Sequence, residues 1–311
     1  MISVVIPTYN NEKTLLKCLQ ALARQDISLD LMEVVVVADG CREQTAEVLS
    51  SWADSSPFPF VWKQQSNQGP GPARNNGIRT AAHDLILIIN DDLIAEPQLV
   101  GRHAQWHRLH PAPECALLGY VQELPQETDG FSVVRLEHAF ESACQKSALS
   151  WDNFWTTNIS LKRGFLESTG EWFSSSFPHP VHEDVELGYR LGRKGLTLHM
   201  DEQARGLHDH PMDYAQFARR AYQSGLCLTE FFRLHPELRA FLEGKGLVLP
   251  NTSRGLIAAT LINNWTIGTI EKTAKALRRS GRVAPSDFLF SRLFGYHQRR
   301  GVAAGLRRGA S

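Results

Sequence analysis

Hydrophobic and polar positions fall into two alternating kinds of block along the first ninety residues. Short apolar runs rich in β-branched residues predict strands at residues 2–7 (ISVVIP), 32–38 (MEVVVVA), 60–63 (FVWK) and 85–90 (LILIIN). Between them, LLKCLQALARQ places Leu15, Leu19 and Leu22 on one face at helical spacing, and TAEVLSSWA and ARNNGIRTAA also read as helices. Strand and helix alternating with short links implies a mostly parallel sheet with helices on both faces, because a parallel crossover needs a helix-length connection. The unbroken run Val34, Val35, Val36, Val37 fits a strand buried on both sides. Ligands in such sheets gather beyond the carboxyl ends of the strands, which is where PTYN, ADG and NDD fall.

Past Asp92 the pattern predicts a helix (PQLVGRHAQWHRLH), a strand (ALLGYVQEL), a helical stretch over 131–145 and an aromatic patch, WDNFWTTNISLKRGFL. HEDVELGYRLGRKG reads as a helix that opens on acids and closes on Gly195, followed by a short strand, LTLHM. From 212 to about 300 the reading is mostly helical. These patterns divide the chain into an α/β part, 1–225, and a helical, basic extension, 226–311.

Composition narrows the classes. The chain has 33 Lys plus Arg against 33 Asp plus Glu, so no overall field argues for a nucleic acid partner. The balance hides a skew, since residues 271–311 carry ten Lys or Arg against only Glu271 and Asp287. Five scattered cysteines with no C-x-x-C pair fit a reducing compartment, and the expected location is cytoplasmic. The start of the chain shows no secretory signal. The apolar run at 255–270 is broken by Asn263 and Asn264 and is short for a membrane span.

The chemistry begins in LILIINDDLIAEP, where an apolar strand runs into Asp91 and Asp92. Adjacent carboxylates repel, so water, a basic group or a cation must offset them. Hard divalent ions bind through one or two carboxylates plus substrate phosphates. Further elements stand at other predicted strand ends: VVIPTYN with Pro7 and Tyr9, ADG with Asp39, GPGPARNNG with Arg74, and downstream TTNISLKR, HEDVELGYRL and GLHDHP.

In this order and at these spacings, the set resembles the family 2 glycosyltransferases, over roughly residues 2–225. The resemblance implies a GT-A fold, a Rossmann-like mixed, mostly parallel sheet flanked by helices, here with a helical C-terminal extension. It implies an inverting enzyme that moves a sugar from a nucleotide-diphosphate donor, UDP-type favoured, to an acceptor hydroxyl in glycan, polysaccharide or glycolipid synthesis. By that pattern Asp92 binds a divalent cation (Mn²⁺ or Mg²⁺), Asp91 lies near the ribose, and His208 rather than His210 is the further ligand. Asn90 departs from the pattern, which often has an acid there, as does Ala38. Pro7, Tyr9 and Asp39 belong to the nucleoside side, and Arg74 either offsets diphosphate charge or forms a structural salt bridge.

Asp184 matches the base position, with Glu183 as its weaker partner or as an acid favouring the helix dipole. Trp151, Phe154 and Trp155 either line the acceptor side or pack a loop, and Asn158 is expected at the donor sugar. The resemblance implies a saccharide or lipid-linked acceptor, and the basic tail suggests a peripheral contact with the inner face of a membrane or a solvated helical face. A sugar nucleotidyltransferase would carry a Gly-rich loop after strand one, where PTYNNEKTLLKCL has no glycine. A non-catalytic nucleotide-binding scaffold would have no use for Asp92, Asp184 and His208 together.

Overall fold

The structure is a computed structural model that describes residues 1–124, 133–249 and 266–308, with side chains of 133–138 left aside. The described residues fall into two compact units: 1–124, 135–175 and 183–210 in the first, and 133–134, 176–182, 211–249 and 266–308 in the second.

The first unit is built on an eight-stranded sheet in the order β3-β2-β1-β4-β7-β6-β8-β5. Its strands are β1 (Ile2–Thr8), β2 (Met32–Asp39), β3 (Phe60–Gln65), β4 (Leu85–Ile89), β5 (Leu93–Ala95), β6 (Cys115–Glu123), β7 (Asn158–Lys162) and β8 (Thr197–His208). β1 pairs in parallel with both β2 and β4, β2 with β3, and β6 with β8, whereas β7 runs antiparallel to β4 and β6. The predicted mixed sheet is therefore present. Each early strand is followed by a crossover helix: α1 (Glu12–Leu22), α2 (Glu43–Ala53) and α3 (Pro70–Thr80). Then come α4 (Leu99–Leu109), α5 (Val133–Cys144), α6 (Arg163–Thr169) and α7 (Glu183–Gly192). Every residue of β2 is buried, as an apolar run covered on both faces requires, and Leu15, Leu19 and Leu22 of α1 are buried against the sheet, as their spacing predicts.

β8 is longer than the short strand expected from LTLHM. It pairs with β6 from Cys115↔Thr197 to Gly119↔Asp201, then shifts register and resumes at Tyr120↔Arg205. The surplus residues bulge out of the ladder, with Asp201 Oδ1 accepting from Gln203 N at 2.9 Å, so a polar stretch that reads as a loop stays inside one bent strand. The bend carries the strand on to β5, where Leu93 pairs with His208.

The second unit holds α8 (Tyr214–Leu234), α9 (Arg239–Gly244), α10 (Ile267–Arg279) and α11 (Val283–Arg308). The expected boundary at 225/226 falls inside α8, and most of the apolar run at 255–270 lies outside the described residues. Asp213 caps α8 by accepting from Gln216 N, and Gln216 returns a bond to the Asp213 amide. Met212, Phe217, Ala274, Phe290 and Leu293 form an apolar core. α8 and α11 approach so closely that a Cβ on Gly301 would sit 1.9 Å from the Tyr222 carbonyl oxygen and 3.1 Å from Gly225 Cα. Gly301→Ala must push two backbones apart, and we expect it to cost about 3 kcal/mol in denaturant unfolding. An unchanged midpoint would contradict that packing.

No helix among the described residues is long and apolar enough to cross a membrane.

Candidate functional site

The carboxyl ends of β1, β2 and β4 meet where the strand order reverses about β1, and loops from all three close on one another. Asn10 leaves β1 in a left-handed conformation (φ 56°) that Asn tolerates better than most residues. Its side-chain oxygen accepts from the Arg42 amide at 2.8 Å, fastening the β1 loop to the β2 loop. Pro7 closes β1 in register with Val37, and Tyr9 projects outward, 53% exposed, as a ring free to stack on a planar ligand.

Asp39 is buried at the end of β2. Its Oδ1 accepts from Gln65 Nε2 and the Gln68 amide, both at 2.8 Å, and its Oδ2 accepts from the Gly69 amide at 2.7 Å. It therefore organises the loop that enters α3. Gly69 has φ 90°, which its missing Cβ permits, and its amide, at the start of α3, points at Asp39. Three of the carboxylate's acceptor positions are thus taken within the protein, leaving limited capacity for a base or ribose.

Asp91 and Asp92 stand at the turn between β4 and β5, both buried. Thr8 Oγ donates to Asp91 Oδ2 at 2.6 Å, and Asn11 Nδ2 reaches both Asp91 oxygens at 3.2 Å. Burial, then the neighbouring Asp92 charge, pushes Asp91 up to about 7 despite those donors. Asp92 moves the other way. Burial alone would raise it, but the His208 and His210 rings hold it well below the usual carboxylate range. His208 Nε2 lies 3.2 Å from Asp92 Oδ1, and His210 Nδ1 lies 2.9 Å from Oδ2. The repulsion of two adjacent acids is relieved by splitting their protonation, with one stabilised as an anion by imidazoles and the other driven toward its neutral form.

Chain geometry brings the two histidines there. The Asp209 amide donates to the Asp92 carbonyl at 2.8 Å, and Lys17 of α1 pairs with the Asp209 carboxylate at 2.5 Å. The His208 and His210 rings stack at 5.2 Å between centroids, 10° from parallel. Sequence reasoning set His210 aside and missed Glu123 at the end of β6. Both Glu123 oxygens lie 3.2 Å from His208 Nδ1. Burial opposes charge on His208, but Asp92 and Glu123 raise it to about 10. Glu123 left one sign in the sequence: an acid ending a predicted apolar strand, as Asp39 and Asp91 do.

One ligand atom each from Asp92, His208 and His210 lies within 4.8 Å of the others. Asp92 Oδ1 is buried without a well-directed hydrogen bond, the condition of an oxygen built for another partner. One carboxylate oxygen with two imidazole nitrogens suits Mn²⁺ better than Mg²⁺, which prefers an all-oxygen shell. With Glu123 accepting from Nδ1, Nε2 of a neutral His208 presents its lone pair toward Asp92, as carboxylate–histidine–metal arrangements require. The residues present fit a divalent cation.

Asp184 lies in the first turn of α7. Val185 N donates to its Oδ1 at 2.8 Å and Thr156 N to its Oδ2 at 3.3 Å. Burial, then the adjacent Glu183 charge, raises it to about 6, against the pull of Arg74.

Arg74 and Glu183, which sequence reasoning placed at the diphosphate and beside the base, instead pair with each other in the interior at 2.7 Å. Arg74 also reaches Asn90 Oδ1 at 3.4 Å and lies over the Phe173 ring. Arg74 Nε and Glu183 Oε2 are left buried without hydrogen bonds.

Asn158, expected at the donor sugar, faces the interior of the sheet. It is fully buried, bonded to the Ala204 carbonyl at 2.9 Å and to His103 Nε2 at 3.0 Å. Alternation along β7 turns it toward α4, because neighbouring strand residues point to opposite faces. Of the aromatic patch, Phe154 is fully buried and Trp151 packs edge-on against Tyr189 of α7 at 5.1 Å. Trp155 sits edge-on to Phe140 at 4.9 Å and donates to the Asp152 carbonyl at 2.9 Å. Trp151 and Phe154 seat α7, whereas Trp155 packs on α5 and adjoins Thr156, whose amide holds Asp184.

Residues 3–116 match the protein family described as glycosyl transferase family 2. Validoxylamine A glucosyltransferase of Streptomyces hygroscopicus subsp. jinggangensis (strain 5008) is 30% identical over 266 residues, covering 76% of this chain and 62% of that protein. Chondroitin synthase of Escherichia coli is 25% identical over 242 residues, covering 68% and 35%. The chain thus spans less than two thirds of the length of these relatives. Among solved structures, mannosyltransferase PcManGT from Pyrobaculum calidifontis in complex with GDP-Man and Mn²⁺ superposes with a TM-score of 0.64 at 18% identity, covering 98% of this chain and 86% of that one. S. aureus TarS 1–349 in complex with UDP-GlcNAc gives 0.56 at 16%, covering 99% and 92%. The sheet and its helices are those of a GT-A glycosyltransferase.

Proposed function

We propose that this chain, a member of glycosyl transferase family 2 through its residues 3–116, is a metal-dependent, inverting glycosyltransferase that moves a sugar from a nucleotide-diphosphate donor to an acceptor hydroxyl. The observation that carries the reading is the Asp92–His208–His210 cluster at the turn after β4, to which the contacts Glu183–Arg74–Asn90 tie the first turn of α7, where Asp184 stands.

Asp92, His208 and His210 would hold a divalent cation, which when bound supplies positive charge to the donor diphosphate. Tyr9 offers an exposed face for the base, and Asp39 fixes the loop beside it. Asp184 accepts the proton from the acceptor hydroxyl as that oxygen attacks the anomeric carbon from the face opposite the leaving group, which inverts the configuration. A carboxyl near 6 is mostly ionised at neutral pH and is a stronger base than an ordinary aspartate. Glu183 and Arg74, each with one buried polar atom unused, would take up a sugar hydroxyl beside the base. We assign this chemistry to the first unit. The GDP-Man, UDP-GlcNAc and Mn²⁺ of the structural neighbours make a nucleotide-sugar donor the first class to test.

The test is a panel of UDP- and GDP-sugars with Mn²⁺ and saccharide acceptors, followed by NMR of the product's anomeric configuration. Retained configuration removes the single-displacement role of Asp184, and nucleotide binding without transfer or donor hydrolysis favours a binding scaffold. Glu123 gives a further check. Glu123→Ala is expected to weaken Mn²⁺ binding by calorimetry about 10- to 100-fold, because His208 loses the acceptor that sets its tautomer. Wild-type affinity would remove Glu123 from the arrangement.

A further inference from the structure

The second unit carries a feature that the proposed reaction does not use. α10 and α11 form a helical hairpin whose turn is closed by Gly281 N donating to the Arg278 carbonyl at 3.0 Å and Arg282 N donating to the Leu277 carbonyl at 2.9 Å. An Arg278–Asp287 ion pair ties the end of α10 to the start of α11. Inside the hairpin, Ser286 Oγ donates to the Ala274 carbonyl at 2.9 Å, and Phe290 and Leu293 pack with Ala274, Met212 and Phe217. The tip is therefore fixed from within.

Its outer side is exposed, and both apolar and basic side chains stand on it. Residues 279–285 are exposed without interruption, and the next exposed positions on α11 are Phe288, Ser291 and Arg292, one and two turns on. Val283 is 49% exposed and Phe288 56%. Phe290 and Leu293 already fill the inner face, so Phe288 has nowhere else to point. Arg292 lies over the Phe288 ring at 4.7 Å, while Arg279 and Arg282 flank the tip. Residues 266–308 hold ten Lys or Arg against two acids in a chain of 33 against 33, and three of these, Arg279, Arg282 and Arg292, are exposed at this end of the hairpin.

We propose that the α10–α11 hairpin docks the protein on an anionic lipid surface, with Val283 and Phe288 entering the boundary between headgroups and acyl chains and Arg279, Arg282 and Arg292 at headgroup level. Apolar tips set among arginines are what such a surface takes, because it offers negative charge and, just beneath, an apolar layer. A soluble polyanion would satisfy the arginines and leave two large apolar side chains in water. A second copy would bring like charge against like. The proposal is independent of the transferase chemistry, and its test uses no sugar donor.

The experiment is co-sedimentation of the full chain with vesicles of phosphatidylcholine, pure or containing roughly one third phosphatidylglycerol. Wild type is expected to bind only the anionic vesicles and to be released at about 0.5 M salt, where screening shortens to a few ångströms. Arg282→Glu with Arg292→Glu should lower that affinity at least about tenfold. Phe288→Ser should lower it severalfold at low salt, while retention on heparin stays at the wild-type level. These positions are exposed, so melting temperatures should match wild type. Absence of vesicle binding overturns the proposal, as does equal binding to neutral vesicles. So does Phe288→Ser binding anionic vesicles as wild type does, which would assign the patch to polyanions in general.

Discussion

Asp184→Asn is expected to lower turnover by about 10²- to 10⁴-fold, about 3 to 5 kcal/mol of transition-state stabilisation, while donor affinity is largely kept. Asn cannot take the acceptor proton, but it fills the same space and can still accept from the Val185 amide. The pH profile separates a base from a merely structural acid. Asp184 is raised from 3.8 to about 6, so its proton-accepting form is lost as pH falls through 6. Wild-type kcat should fall about tenfold per pH unit below that point and level off above it, and the residual rate of the variant should lack this limb. Turnover that survives the substitution at saturating donor and acceptor would remove Asp184 from the chemistry.

Asp92→Asn should reduce transfer on the order of 10³-fold or more, about 4 kcal/mol, and should abolish the Mn²⁺-dependent part of nucleoside diphosphate binding. Asp92 is the anionic member of the cluster, and His208 and His210 alone offer neutral donors. A readout free of activity comes from the metal-free protein in chelator. The depressed pKa of Asp92 means that its ionisation stabilises the fold above its ordinary 3.8, and this is lost as pH falls through the lower native value. The raised pKa of His208 means the opposite: its contribution is complete below the ordinary 6.5 and is lost as pH rises through about 10. The stability gap between wild type and Asp92→Asn should therefore be widest between about pH 4 and 6.5 and should shrink toward pH 10. A gap that grows with rising pH would contradict the Asp92–His208 pair. Mn²⁺-dependent donor binding that survives in the variant would contradict the metal assignment.

Much of this site was legible along the chain because its members end elements whose periodicity is local. Pro7, Tyr9, Asp39, Asp91 and Asp92 follow apolar runs, and Asp184 opens a helix marked by its acids and by Gly195, so the carboxyl-end cleft of a parallel sheet gathers them without knowledge of the packing. What the sequence leaves unread is where a side chain's direction or partner depends on a distant strand. Asn158 lies in a polar stretch that suggests a ligand contact, yet β7 turns it inward to His103 and Ala204. Arg74 and Glu183 are 109 positions apart, and nothing local announces that they neutralise each other. Trp151 and Phe154 resemble a sugar platform in composition and serve as packing beneath α7.

By itself the sequence determined the first four strands with their crossover helices, their apolar faces and the placing of acids at strand ends, since each follows from residues within a turn or two of one another, whereas β5 and the second half of β8 carry no such local mark. Tertiary structure alone decided that His210 joins His208 at Asp92, 118 positions away, and that Glu123 stands behind His208. The reason is the register shift in β8, after which its end pairs with β6 on one side and β5 on the other and sets His208 opposite both Glu123 and Leu93. Strand register is a property of two chain segments at once, and a shift of one residue would turn these side chains to the opposite face of the sheet.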